Sequence, residues 1–199
     1  IVLIAAMGFV GYVAIRVMGP GRGMGVTGLV GGLVSSTAVT LTFSGRAKQD
    51  PSVASPCALA VVLASSVMLV RVLVEISVVN PSLLGSVLYA FVPMLAAGLV
   101  ASALFYRQGH QTRSNAEALE LTNPFELDSA VKFGLLFGAV LLATKAANLH
   151  FGQGGILLAA VLSGLTDMDA ITLSMAEMAK EGLPHPVAST AIVAACASN

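Results

Sequence analysis

Apolar positions dominate the chain in long runs, and short polar or Pro/Gly punctuation separates them. A helix needs about 20 apolar residues to cross a bilayer, and a helix pairs its own backbone groups where water cannot. The pattern predicts span 1 over residues 1–18, followed by the Gly19-Pro20-Gly21-Arg22-Gly23 turn. Span 2 covers 26–44, span 3 runs from Asp50-Pro51 to about Val79, and span 4 from Asn80-Pro81-Ser82 to about Tyr106. Asn123-Pro124-Phe125-Glu126 has the form of a helix start, with Asn as cap, Pro at the first helical position and Glu reaching back. It opens span 5, which ends near Asn148, and residues 149–155 read as a loop. Span 6 covers 156–178, and span 7 opens at Val187. The fold class expected is an all-α, polytopic integral membrane protein with about seven spans.

Two spans break the apolar pattern at their centres. Gly32-Leu33-Val34-Ser35-Ser36-Thr37-Ala38-Val39-Thr40-Leu41-Thr42 aligns without gaps on Gly164-Leu165-Thr166-Asp167-Met168-Asp169-Ala170-Ile171-Thr172-Leu173-Ser174, with five of eleven positions identical. Ser35 falls opposite Asp167 and Thr37 opposite Asp169. Ala14-Ile15-Arg16 also resembles Ala143-Thr144-Lys145, and Pro56 falls near Pro186. Paired, interrupted, polar-centred helices point to two repeats around a transporter-like site. The division expected is residues 1–106 (spans 1–4), a polar linker over 107–122, and residues 123–199 (spans 5–7). Four spans separate matching elements, so the repeats should run the same way across the membrane; an undetected re-entrant segment would invert them.

Composition agrees with the pattern. Hydrophobic residues make up 56% of the 199 positions and charged residues 10%, against about 25% charged in a soluble domain. Net charge is zero, which gives no electrostatic footprint for nucleic acid. Cys57 and Cys196 lie in apolar runs and read as small core residues. Six Lys and Arg fall on one side of the spans (46, 48, 107, 113, 132, 180) and four on the other (16, 22, 71, 145), which places the 107–122 linker in the cytoplasm. The chain starts without Met inside one apolar run and stops inside another, as expected for part of a longer protein.

A carboxylate at bilayer depth costs roughly 2.5–3.5 kcal/mol on insertion scales, so Asp167 and Asp169 require compensation. Two residues apart on a straight helix they would point about 200° away from each other. A break at this point would change that, and Thr166 followed by Asp169 has the form of a capping box restarting a helix inside the membrane. Hard oxygens favour Mg²⁺, another hard cation or a proton. The candidate ligand set is Asp167 and Asp169, helped by Thr166, Thr172, Ser35, Ser36 and Thr37. The plain structural reading is that Asp167 caps a broken helix and Asp169 pairs with Arg16, Arg71 or Lys145. Gly28, Gly31, Gly32 and Gly164 read as close helix-packing positions. Arg71 and Glu75, four apart, read as an ion pair near the interface. Pro93 should kink span 4. No phosphate loop, dinucleotide fingerprint or Ser-His-acid set is present, and an intramembrane aspartyl protease would place its two acids on different spans; an enzyme is not expected.

The segments Gly31–Ala38, Asn123–Leu127 and Ser163–Thr172 resemble, in order, the membrane domain that follows an MgtC-like region in long MgtC/SapB-family bacterial proteins, domain-of-unknown-function family 4010. The resemblance implies a multi-pass protein of the bacterial inner membrane, an MgtC-like N-terminal region as partner in the same chain, and a loose tie to magnesium limitation. The function expected is a transporter or channel-like protein for a small cation, bound between helices 2 and 6 at the midplane. The competing expectation is a non-transporting regulator or assembly partner, a homodimer joined through its glycine-rich helices. The first predicts a polar cavity at the acids, and the second dry, close-packed helices.

Overall fold

The computed structural model describes residues 2–18, 23–109 and 127–199, which are helical almost throughout, with no strand among them. Eight α-helices follow in order: α1 (Val2–Met18), α2 (Met24–Val34), α3 (Ser36–Gln49), α4 (Ala54–Val79), α5 (Leu84–Gly109), α6 (Leu127–Gly164), α7 (Met168–Lys180) and α8 (His185–Ser198). Single 3₁₀ turns at Pro51–Val53 and Pro81–Leu83 lead into α4 and α5. The Asp50 carboxylate accepts from the Ser52 amide at 3.0 Å and from its hydroxyl at 2.6 Å, fixing the start of the first turn. Both hydrogen bonds, the hydroxyl's first, hold the Asp50 carboxyl below its usual value.

By length and composition three stretches are apolar enough to cross a membrane, Pro51–Val79, Pro81–Gln108 and Gly134–Gly164, the last of them interrupted at Gly152. This is a membrane protein by length and composition of its helices. α5 continues as helix through Pro93. The expected 107–122 linker and the 123–126 helix start lie outside the described residues, save that α5 reaches Gly109.

The described residues form two compact units: 2–18 and 23–71 with 93–109, and 72–92 with 127–199. In the first, α2 lies so close to α4 that a Cβ at Gly32 would stand 2.7 Å from the Ala64 Cα, and one at Gly28 would strike the Ala60 backbone. Glycine is needed here because backbone meets backbone. Met24, Val39, Phe43, Val53, Cys57, Ala60 and Ala64 close this core. Cys57 and Cys196 are both free thiols.

In the second unit, α8 packs against α6 and α7. Gly164 repeats the device, its face pressed on the Ala195 backbone of α8. The expected loop over 149–155 contracts to one residue. Gly152 takes φ 58° and ψ −144°, inside a stretch that is otherwise helical, and positive φ is the region glycine enters without a Cβ penalty. The chain doubles back there: Gly155 sits against the Ala147 carbonyl, whereas eight residues of straight helix would separate them by about 12 Å. α6 is therefore a hairpin, with one arm reaching Phe151 and a shorter one over 153–164.

Candidate functional site

The two polar-centred stretches are both broken helices, each break lying within its own unit. Between α2 and α3 the single residue Ser35 is extended, at φ −162° and ψ 112°. Its hydroxyl accepts from the Ala38 amide at 3.2 Å and so caps α3. Between α6 and α7, Asp167 adopts nearly the same backbone, φ −156° and ψ 124°. Its carboxylate accepts from the Ala170 amide at 2.7 Å. The helix thus restarts one residue later than a Thr166 cap would place it. Thr166 instead donates its hydroxyl to the Ser163 carbonyl at 2.8 Å, closing the end of α6.

A broken helix exposes carbonyls on one side, carrying partial negative charge, and amides on the other, carrying partial positive charge. The breaks satisfy these ends differently. In the first, the carbonyl end takes a cation: an Arg71 guanidinium nitrogen donates to the Leu33 carbonyl at 3.1 Å and to that of Val34 at 3.4 Å. Its amide end takes the neutral Ser35. In the second, neutral groups serve the carbonyl end: Ser198 donates its hydroxyl to Val161 at 3.0 Å, and Asn199 its amide to Gly164 at 2.8 Å. The amide end takes Asp167, and Asp169 stands in the first turn of α7. The first break is therefore served by a basic side chain, and the second by acidic ones.

The remaining candidate residues divide. Ser36 donates its hydroxyl to the Met68 sulfur at 3.3 Å, and Thr37 is exposed. Asp167 and Asp169 are half-buried and both are engaged in interactions. Thr172 is fully buried and its hydroxyl has no hydrogen-bond partner among the described residues; neither has the buried Ser163 hydroxyl. The Lys145 ammonium lies 2.6 Å from the Glu181 carboxylate. Arg16 donates to the Tyr12 hydroxyl at 2.9 Å. Gly28, Gly31, Gly32 and Gly164 are all buried, and the close approaches of Gly28, Gly32 and Gly164 are made within this chain. No three His, Cys, Asp or Glu side chains converge in a metal-holding group among the described residues.

Three residues have more structural weight than their sequence context suggested. Arg71 and Glu75, expected as an ion pair near the interface, are both buried, 7% and 0% exposed. Asn80, between α4 and α5, donates its side-chain amide to the Ala176 carbonyl of α7 at 3.1 Å. The four-residue spacing of Arg71 and Glu75 gave a shared face, but in an apolar helix spacing does not say which face is buried.

The family described as Domain of unknown function (DUF4010) matches residues 2–199. An uncharacterized protein of Aquifex aeolicus (strain VF5) is 30% identical over 175 residues, which cover 87% of this chain and 76% of that protein. No solved structure matches.

Proposed function

The chain belongs to the DUF4010 family, and from that premise we propose that it is a membrane transporter or channel-like protein for a small cation, with the ion attracted to the break between α6 and α7. The observation that carries this reading is that a basic side chain serves the first break and two acidic ones stand at the second. The first already holds a cation, the Arg71 guanidinium, on the carbonyls of Leu33 and Val34. The second places Asp167 and Asp169 at the matching point of the repeated motif. A carboxylate beside helix amides is favoured by the helix dipole, but two acids in one apolar stretch go beyond what a cap requires, since Ser35 caps the first break without charge.

The donor set narrows the ion. Two carboxylates with hydroxyls of Thr166 and Thr172 do not fill a dehydrated octahedral shell. Mg²⁺ would keep most of its own water, an alkali ion would draw on the hydroxyls and carbonyls as well, and a proton needs only one carboxylate. The repeats, the further spans, the bacterial inner membrane and the tie to an MgtC-like region belong to the same proposal, as does a homodimer.

Reconstitution in liposomes tests the reading. Purified protein should pass Mg²⁺, Na⁺ or H⁺ down a gradient, and the Asp167→Asn/Asp169→Asn double variant should not. Equal flux through both would remove the reading. The competing reading, a non-transporting regulator, draws on the dry packing of α7, where Met168 and every residue from Ala170 to Ala176 is buried. That reading expects no flux in either protein.

A further inference from the structure

The hairpin at Gly152 and the turn between α7 and α8 bound one cavity of about 470 Å³ in the second unit. Lys145, Asn148 and Gln153 line it from α6, and Glu181 and Leu183 from the turn. The turn is shaped by Gly182 at φ 109° and by Leu183 donating its amide back to the Met178 carbonyl at 2.9 Å, a Schellman-type end. Lys145 and Glu181 bridge the cavity wall, 2.6 Å apart and each part-exposed. Around the hairpin, Leu142, Leu149 and Phe151 are 70%, 84% and 78% exposed. An apolar outer face with a paired ammonium and carboxylate at the helix turn matches the boundary between acyl chains and headgroups, where Lys stems lie along apolar surface and the charge reaches the polar layer.

We propose that this cavity binds a zwitterionic phosphate ester bearing a primary ammonium, the chemistry of a phosphoethanolamine headgroup. Such a ligand exchanges one ion pair for two. Its phosphate takes the Lys145 ammonium together with the side-chain amides of Asn148 and Gln153, and its ammonium donates to Glu181. Charge stays balanced, so nothing charged is left unpaired at the edge of the lipid. A bare phosphate meets Glu181 as a like charge, and a quaternary ammonium has no N–H to donate to it.

Purified full-length chain, stripped of lipid in detergent, is the test material. Short-chain phosphatidylethanolamine should bind about tenfold more tightly than the matching phosphatidylcholine or phosphatidylglycerol, the ratio expected from losing one charge-assisted hydrogen bond. Glu181→Gln should abolish that preference over phosphatidylcholine. Because Lys145→Gln also removes a structural ion pair, Gln153→Leu serves as the variant outside the bridge and should weaken phosphatidylethanolamine binding severalfold. Displacement by glycerophosphoethanolamine identifies a soluble phosphate ester as an occupant; displacement only by acylated lipid identifies the headgroup; either sustains the shared chemistry. Equal binding of all three lipids, or unaltered preference in Glu181→Gln, overturns the proposal. These outcomes are independent of cation flux.

Discussion

At the scale of single residues, Asp167 does two separable things. As N-cap of α7 it satisfies the Ala170 amide, and as an anion it charges the break. Asp167→Ala removes both and should lower stability by about 1 kcal/mol, within the range of 0.5–2 for lost caps. Asp167→Asn keeps an acceptor oxygen, so its melting temperature in detergent should stay close to that of the parent while cation binding falls. A shared loss of stability in both variants would show that the charge, not the cap, holds the break together. Asp50 gives a pH-dependent counterpart outside the spans. Its carboxyl is held below its usual value by Ser52, so its contribution is present above a pH of about 3.9, the unfolded value, and is lost as pH falls through the folded value. Thermal midpoints of the parent and Asp50→Ala should differ at neutral pH and converge in acid. The sequence made both acids visible, because a carboxylate in an apolar run stands out. It did not reveal which atom each one serves, because a one-residue shift between Thr166 and Asp167 is decided by backbone angles, not by residue type.

At the scale of elements, the two breaks were legible and the hairpin was not. Ser35 and Asp167 stand opposite each other in an ungapped alignment, and each proves to be the single extended residue opening a helix. The signal was polarity at the centre of an apolar stretch. Gly152 gave no comparable signal, since glycines at 152, 154 and 155 lie together and only one bends the chain. The α2–α4 contact rests on a similar detail. Gly28 and Gly32 had the spacing of a packing face, but sequence could not say whether it meets a second copy or this chain. The structure places both against α4. A side chain at Gly32 would meet the Ala64 backbone, which cannot rotate away, so Gly32→Val should cost about 1–3 kcal/mol through overpacking. Gly45→Val, on α3 with open space around it, is the control and should shift stability only by the small helix-propensity difference, in favour of Val. Unfolding followed by cysteine accessibility at the buried Cys57 would report both.

At the scale of the whole molecule, the question is what covers the apolar surface that the chain does not cover itself. The apolar window of α4 is 44% buried within the structure, whereas that of α5 is 17% buried and that of α6 only 6%. On α5, Leu99, Val100 and Leu104 are 63%, 62% and 53% exposed. Soluble monomers rarely leave such contiguous apolar area bare, and lipid is the solvent for which it costs nothing. The surface therefore predicts a graded environment along α5. Nitroxide labels at Leu99→Cys and Leu104→Cys, in a chain whose Cys57 and Cys196 are replaced by Ala, should collide readily with oxygen and little with a water-soluble nickel chelate in liposomes. A label at Gln108, at the end of the same apolar stretch, should show the reverse. If Leu99 were equally shielded from both reagents, a second protein surface rather than lipid would cover this face. If it were open to nickel, α5 would not lie in the membrane, and Asp167 and Asp169 would no longer carry a lipid-burial cost that a cation offsets.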